Sequence, residues 1–124
     1  RFAYLQLIAT CLARAELDPE LRFVATWVEA EDLETHHVSI QETEGLIDLV
    51  RRAKEADVAC VLKQTESGVR VSLRSVGTVD VSEVAARFGG GGHAFAAGFI
   101  ATDSIANVLA DVRSAVAVER GSSS

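Results

Sequence analysis

Gly89-Gly90-Gly91-Gly92-His93, continuing Ala94-Phe95-Ala96-Ala97-Gly98-Phe99, is the stretch on which the reading of this chain turns. Four glycines in a row carry no Cβ, so the backbone can take positive φ and another molecule can approach its amides. The run lies between a helix-like pattern and a strand-like one. Successive N–H groups turned inward in such a loop make an anion-binding concavity, and a helix N-terminus adds partial positive charge. The plainer reading is a flexible linker. Against the linker stand the abrupt end in His and the apolar residues that hem the run in.

Just before it, Asp80 is placed to cap a helix, with Glu83 three residues on. Val81, Val84, Ala85 and Phe88 then recur at helical spacing, and Gly89 falls where a C′ glycine belongs. The glycine run therefore starts as a helix stop and continues three residues longer than stopping requires. Beyond it, His93 to Ala97 is expected to form one helical turn ended by Gly98, with Phe99 to Ala101 as a strand. Thr102 or Asp103 would cap a last helix striped by Ile105, Val108, Leu109, Val112 and Val116, and residues 119–124 would be a disordered tail.

Upstream, Val69 to Ser75 alternates as a strand does, with Val71 and Leu73 on one face and Arg70, Ser72 and Arg74 on the other. Glu66-Ser67-Gly68 joins it as a hairpin to a strand over Val58 to Thr65. Thr43 is placed to cap a helix from Glu44 to about Ala56, striped by Leu46, Ile47, Val50 and Ala53. Glu31 to Gln41 reads as a loop with one turn at Asp32-Leu33-Glu34. Leu21 to Ala30 reads as a strand and Phe2 to Ala15 as a helix, stopped by Asp18-Pro19. The fold class is α/β: a single domain with a mixed sheet of about four to five strands flanked by helices.

A length of 124 residues and 48% hydrophobic content suit one core. No apolar run approaches the roughly 20 residues of a membrane-spanning helix. The chain begins at Arg1 and contains no Met, so it reads as part of a longer protein, with residues 1–20 the tail of a linker from an upstream domain. A net charge of −6 argues against a broad basic face that holds long nucleic acid by phosphate neutralisation. Nucleotide binding, if present, would be focal. Cys11 and Cys60 sit in apolar patterns and read as buried free thiols, which suits a reducing, cytoplasmic setting.

Arg74 offers a planar fork for phosphate or a face for a base, or is simply a solvated strand-end cation. His93 offers a donor to a phosphate oxygen or a sugar hydroxyl. Whether the two converge is a matter of folding and not of spacing. Other constellations are weaker. Adjacent His36 and His37 point apart and no Asp or Cys completes a cluster. Ser75 lacks the elbow of a nucleophilic serine. Gly89-x-Gly91-x-x-Ala94 follows a helix instead of a strand, unlike a dinucleotide fingerprint. No Lys-Ser or Lys-Thr follows the glycines as in a Walker loop. Asp48, Asp57 and Asp80 fall in separate elements.

Taken together, Val69-Arg70-Val71-Ser72-Leu73-Arg74-Ser75, the Asp80 to Ala85 link and the Gly89 to Phe99 stretch resemble the DHH-associated C-terminal domain, the substrate-binding half of the DHH phosphoesterases. The Ser72 to Ser75 run is most similar to the branch of oligoribonucleases (nanoRNases) that also dephosphorylate adenosine bisphosphate (pAp). Some members of that branch hydrolyse cyclic di-AMP or its linear product. The resemblance covers Leu21 to about Val116, within a substrate-binding domain expected over residues 21–118. It implies an upstream catalytic domain that carries an Asp-His-His motif and two divalent ions, manganese, with no metal and no catalytic residue in this segment. It further implies that Gly90, Gly91, Gly92 and His93 form the substrate loop and that Arg74 contacts base or phosphate, with Ser72 and Ser75 as lesser contacts. The implied partners are short RNA, pAp or a cyclic dinucleotide, the upstream domain, and a second copy in a homodimer; no membrane is implied. Thr35-His36-His37 lacks the aspartate of the metal motif. The alternatives are a tRNA-binding module like the related domain that ends alanyl-tRNA synthetases, and an assembly domain whose glycines are only structural.

Overall fold

The computed structural model describes residues 1–122. Helix α1 (Phe2–Ala13) leads into β1 (Glu16–Asp18) and β2 (Phe23–Val28), followed by α2 (Ala30–His36) and α3 (Leu46–Val50). Strands β3 (Val58–Thr65) and β4 (Gly68–Ser75) form a hairpin. Helix α4 (Val81–Ala86), strands β5 (Gly91–His93) and β6 (Ala96–Ala101) and helix α5 (Ile105–Ser122) complete the chain. Among the described residues this is an α/β fold with one six-stranded mixed sheet, ordered β1-β2-β3-β4-β6-β5. β2 and β3 run parallel and every other neighbouring pair antiparallel.

Residues that pair across the strands share a face, so the register sorts the core. Phe23, Ala25, Val58, Cys60, Leu62, Val71, Leu73, Ala97 and Phe99 face α4 and α5. Val24, Val28, Ala59 and Val61 face α1, α3 and Val38. Residues 1–20 are thus built into the domain: Leu7, Ile8 and Cys11 are buried, and β1 extends the sheet. The Thr26 hydroxyl donates to the Cys11 carbonyl, tying α1 to β2. Cys11 and Cys60 are buried free thiols in opposite layers. Burial pushes the Cys11 thiol up to about 11 and raises that of Cys60 as well.

Several local expectations change. The sheet has six strands, two more than the four read from sequence, because β1 and β5 are short and poor in β-formers, so no local pattern marks them; both join through backbone pairing with a neighbour. Residues 30–36 are helical, started by a capping box in which the Glu29 amide donates to Asp32 at 2.7 Å. No residue of α2 is buried, so no apolar period marked it. The helix expected over 44–56 is only Leu46–Val50. Thr43 does not cap it, because its hydroxyl donates to the Ile40 carbonyl inside a short 3-10 turn. Three-residue turn bonds from Arg52 and Ala53 end it.

His93 to Ala97 is not a helical turn but a tight hairpin that pairs His93 with Ala96. Ser104, not Thr102 or Asp103, caps α5, accepting from the Asn107 amide at 3.1 Å. The expected tail from 119 is helical as far as Ser122, and the paired Arg120 and Asp57 anchor its end. Residues 123 and 124 lie outside the described residues. Asp80 caps α4 as expected, accepting from the Ser82 amide at 2.9 Å.

Candidate functional site

Strand β4 carries the side chains that matter, and its pairing decides where they stand. Arg74 pairs with Ala96, and Ala96 pairs with His93. Ser72 pairs with Gly98, and Gly98 with Gly91. Arg74 and His93 therefore lie in one row on one face, about 10 Å apart along the backbone, two strand spacings. Ser72 and Gly91 form the next row of the same face. Arg70 and Ile100 form a third.

This face is open. The helices that cover β2 and β3 on this side do not extend over β6 and β5. Arg70, Ile100, Gly91 and His93 are exposed, and Ser72, Arg74, Ala96 and Gly98 are half-buried. Ser75 does not join them. It points to the opposite face, is buried, and its hydroxyl accepts from the Gly77 amide at 3.0 Å. Its role is to hold the turn after β4.

The four glycines do different jobs. Gly89 ends α4 in the left-handed region at φ +82. The Gly89 amide donates to Ala86 and the Gly90 amide to Ala85 at 3.0 Å, the paired bonds of a Schellman ending. Gly90 is held by contact, because a Cβ there would lie 2.2 Å from the Gly98 carbonyl oxygen. Gly92 combines φ +144 with a Cβ position 2.6 Å from Ala97 Cα. Gly91 has neither constraint: nothing lies within 4 Å of its Cβ position. So three glycines serve the fold, and the fourth leaves bare backbone on the open face. Contrary to the loop expected from sequence, Gly91–His93 is an edge strand, so alternate amides on its outer side have no sheet partner.

Arg74 keeps most of its guanidinium donors uncommitted. Its Nη1 donates to the Leu73 carbonyl at 3.0 Å, and no carboxylate among the described residues forms an ion pair with it. At the same end of β4 a narrow cleft is lined by Arg51, Arg74, Val76 and Ala59. Arg51, at the end of α3, was missed as a site residue. Its proximity to Arg74 depends on a packing contact 23 positions away, and no local pattern announces it. Arg70 continues the basic line and reaches Glu44 at 4.0 Å. Arg51 is likewise paired, with Asp48 at 3.7 Å, and Asp57 also lines the cleft, so Arg74 is the arginine of this group left without a carboxylate, on a chain of net charge −6. Lys63, opposite Arg70 in register, is buried and donates to the Thr43 carbonyl at 3.1 Å. Burial lowers its pKa.

Among the described residues no group of three or more His, Cys, Asp or Glu side chains converges as metal ligands would. His36 ends α2 and His37 follows it in the left-handed region at φ 51. Also among the described residues, no helix is long and apolar enough to cross a membrane.

Comparison with known proteins bears on this geometry. A family model described as the DHHA1 domain matches residues 23–118. The bifunctional oligoribonuclease and PAP phosphatase NrnA of Thermus thermophilus is 38% identical over 58 residues, which are 47% of this chain and 18% of that protein. An exopolyphosphatase-related protein from Bacteroides fragilis superposes with a TM-score of 0.89 at 20% identity, over 98% of this chain and 36% of its own. The pGpG-specific phosphodiesterase PggH of Vibrio cholerae gives 0.63 at 13% identity, over 92% of this chain and 37% of its own. At those identities the two structures show shared fold alone. The chain spans well under half the length of each of these relatives. With most of its length matched by the family model, the chain belongs to the DHHA1 domain family.

Proposed function

We propose that this chain is the nucleotide-gripping domain of a metal-dependent phosphoesterase that acts on short oligoribonucleotides, pAp, or cyclic di-AMP and its linear product. The observation that carries the reading is the open face on which Arg74, Ser72 and His93 surround bare backbone at Gly91. Arg74 would take a phosphate in a two-pronged hydrogen bond. His93 would donate to a second oxygen about two strands away, and the Gly91 backbone would let the ligand approach where a side chain would stand. Ser72 would donate to the ligand between them. A grip of a few groups suits a small nucleotide better than long RNA, since the chain as a whole is acidic.

Two divalent ions, manganese, would be held by a domain outside this segment. Such ions supply an activated water and a clamp on the scissile phosphate. This chain's part is to bind and orient. A cytoplasmic setting and a homodimeric full-length protein belong to the same proposal.

The test is titration of residues 1–124 with pAp and with a 5′-phosphorylated diadenylate, followed by amide chemical shifts. Shifts should concentrate on Gly91, His93, Ser72 and Arg74, and Arg74→Ala should weaken binding at least tenfold, with His93→Ala less severe. Unchanged affinity in both variants would mean that the glycines are only structural. Tight binding of whole tRNA in place of these ligands would favour the tRNA-contact alternative. Manganese-dependent turnover of pAp by residues 1–124 alone would overturn the division of labour.

A further inference from the structure

The row that joins Arg74, Ala96 and His93 ends at the two-residue turn Ala94-Phe95, and Phe95 is 59% exposed. A single exposed apolar side chain is ordinary. This one is distinguished by how firmly it is seated. The Phe95 carbonyl accepts from the Ser75 amide at 2.9 Å, and the Ala94 carbonyl accepts from the Val81 amide at 3.1 Å. The turn is therefore pinned both to the end of β4, one residue from Arg74, and to the start of α4.

The ring lies over Gly77. A Cβ on that glycine would come within 2.9 Å of Phe95 Cε1, and Gly77 takes φ +115. The loop after β4 omits a side chain where the ring rests. Val76, next to Gly77, is 67% exposed and lines the cleft that contains Arg74 and Arg51. An aromatic ring whose turn is fixed by backbone bonds, left open to solvent, one residue in register from an arginine without an ion-pair partner, has the features of a stacking platform.

We propose that Phe95, backed by Val76, is the seat of a nucleobase whose phosphates are held by Arg74 and His93. This rests on the binding reading above and adds to it the part of the ligand that confers preference for a nucleotide over a bare phosphate ester. Stacking tolerates any base because every base has a π-face, so the platform selects for the presence of a base and not its identity. The turn that carries the ring is already tied down by its backbone bonds, which lowers the entropic cost of capture.

The experiment compares two probes on residues 1–124, whose sheet has its own core on each face. One probe is pAp; the other is methyl riboside 3′,5′-bisphosphate, which keeps both phosphates and lacks the base. Phe95→Ala should weaken pAp about tenfold and leave the riboside unchanged, since a tenfold loss is about 1.4 kcal/mol, within the range for one stacked base. Phe95→Trp should restore pAp binding, and its indole emission should be quenched by the base. The proposal is overturned if Phe95→Ala binds pAp as the parent does, or if both probes weaken equally. It is also overturned if the substitution alters sedimentation, a sign of a self-association surface, while pAp binding holds. If Phe95→Ala is silent but Arg74→Ala abolishes binding of both probes, only the platform falls. If the parent chain binds neither probe, the binding reading falls and the platform with it.

Discussion

Strands β2 and β3 bury side chains on both faces, whereas β4, β6 and β5 bury at most one. Phe-Val-Ala-Thr-Trp-Val and Val-Ala-Cys-Val-Leu are near-continuous apolar runs, as a parallel pair sandwiched between helices requires. Gly-Val-Arg-Val-Ser-Leu-Arg-Ser alternates, as a strand with one wet face does. The difference separates two tasks within one sheet. The sandwiched half holds the domain together. The half-covered strands keep a surface on which polar side chains such as Arg74 and bare backbone such as Gly91 can stand without being needed for burial.

Core substitution in the sandwiched half should have the largest effect. Phe23 is fully buried, and Phe23→Ala should cost about 3–5 kcal/mol in urea unfolding. A cost below about 1 kcal/mol would break the division. Next come the glycines, which divide the open half itself. Gly92→Ala places a Cβ at φ +144 against Ala97 and should cost about 2–3 kcal/mol. Gly91→Ala meets nothing and should change stability by less than about 0.5 kcal/mol, yet weaken nucleotide binding. Equal destabilisation by both would remove the distinction between fold glycines and site glycine.

At the rim of the sandwiched half, Asp57 is 9% exposed and bound by Arg120, Arg22 and Thr78. Burial pushes its carboxyl upward, but the hydrogen bonds from Arg120 and Thr78 outweigh that and hold it below the ordinary carboxylate range. A depressed folded value contributes stability above the unfolded value, near 3.9, and loses it as pH falls through the folded one. Asp57→Asn should therefore cost about 1–2 kcal/mol at neutral pH, and the gap to the parent should close in acid. A gap that widens in acid would reverse the sign. The smallest effect on stability belongs to Arg74→Ala, under about 0.5 kcal/mol in the same unfolding assay, because Arg74 is half-buried and unpaired. A larger loss would make Arg74 a structural residue.

Much of this was legible in the residues. The β3–β4 hairpin and the Asp80 cap depend on neighbours in sequence, and both stand where expected. Elements set by distant partners were not legible. β1 is three residues held by partners far along the chain, the β2 backbone and Arg113 of α5, which pairs with Glu16. α2 shows no apolar period because none of its residues is fully buried and Leu33 alone is an apolar side chain of it packed on the core. α3 stops after Val50 because the chain turns to enter β3.

The site divides in the same way. Alternation along β4 put Arg70, Ser72 and Arg74 on a face opposite Val71 and Leu73, because strand periodicity is local. The same alternation separated Ser75 from Arg74, a consequence that the resemblance to a motif obscured. The glycine run as a strand, His93 level with Arg74, and Arg51 beside the cleft came from nowhere near these residues. They follow from β6 lying between β4 and β5, and from α3 packing over β3. Amino-acid order by itself determined which side chains share a strand face and where a helix begins, since those depend on backbone period and nearby hydrogen bonds. Tertiary structure alone decided which strands are neighbours, because backbone pairing carries no side-chain label and register is set by how the faces bury.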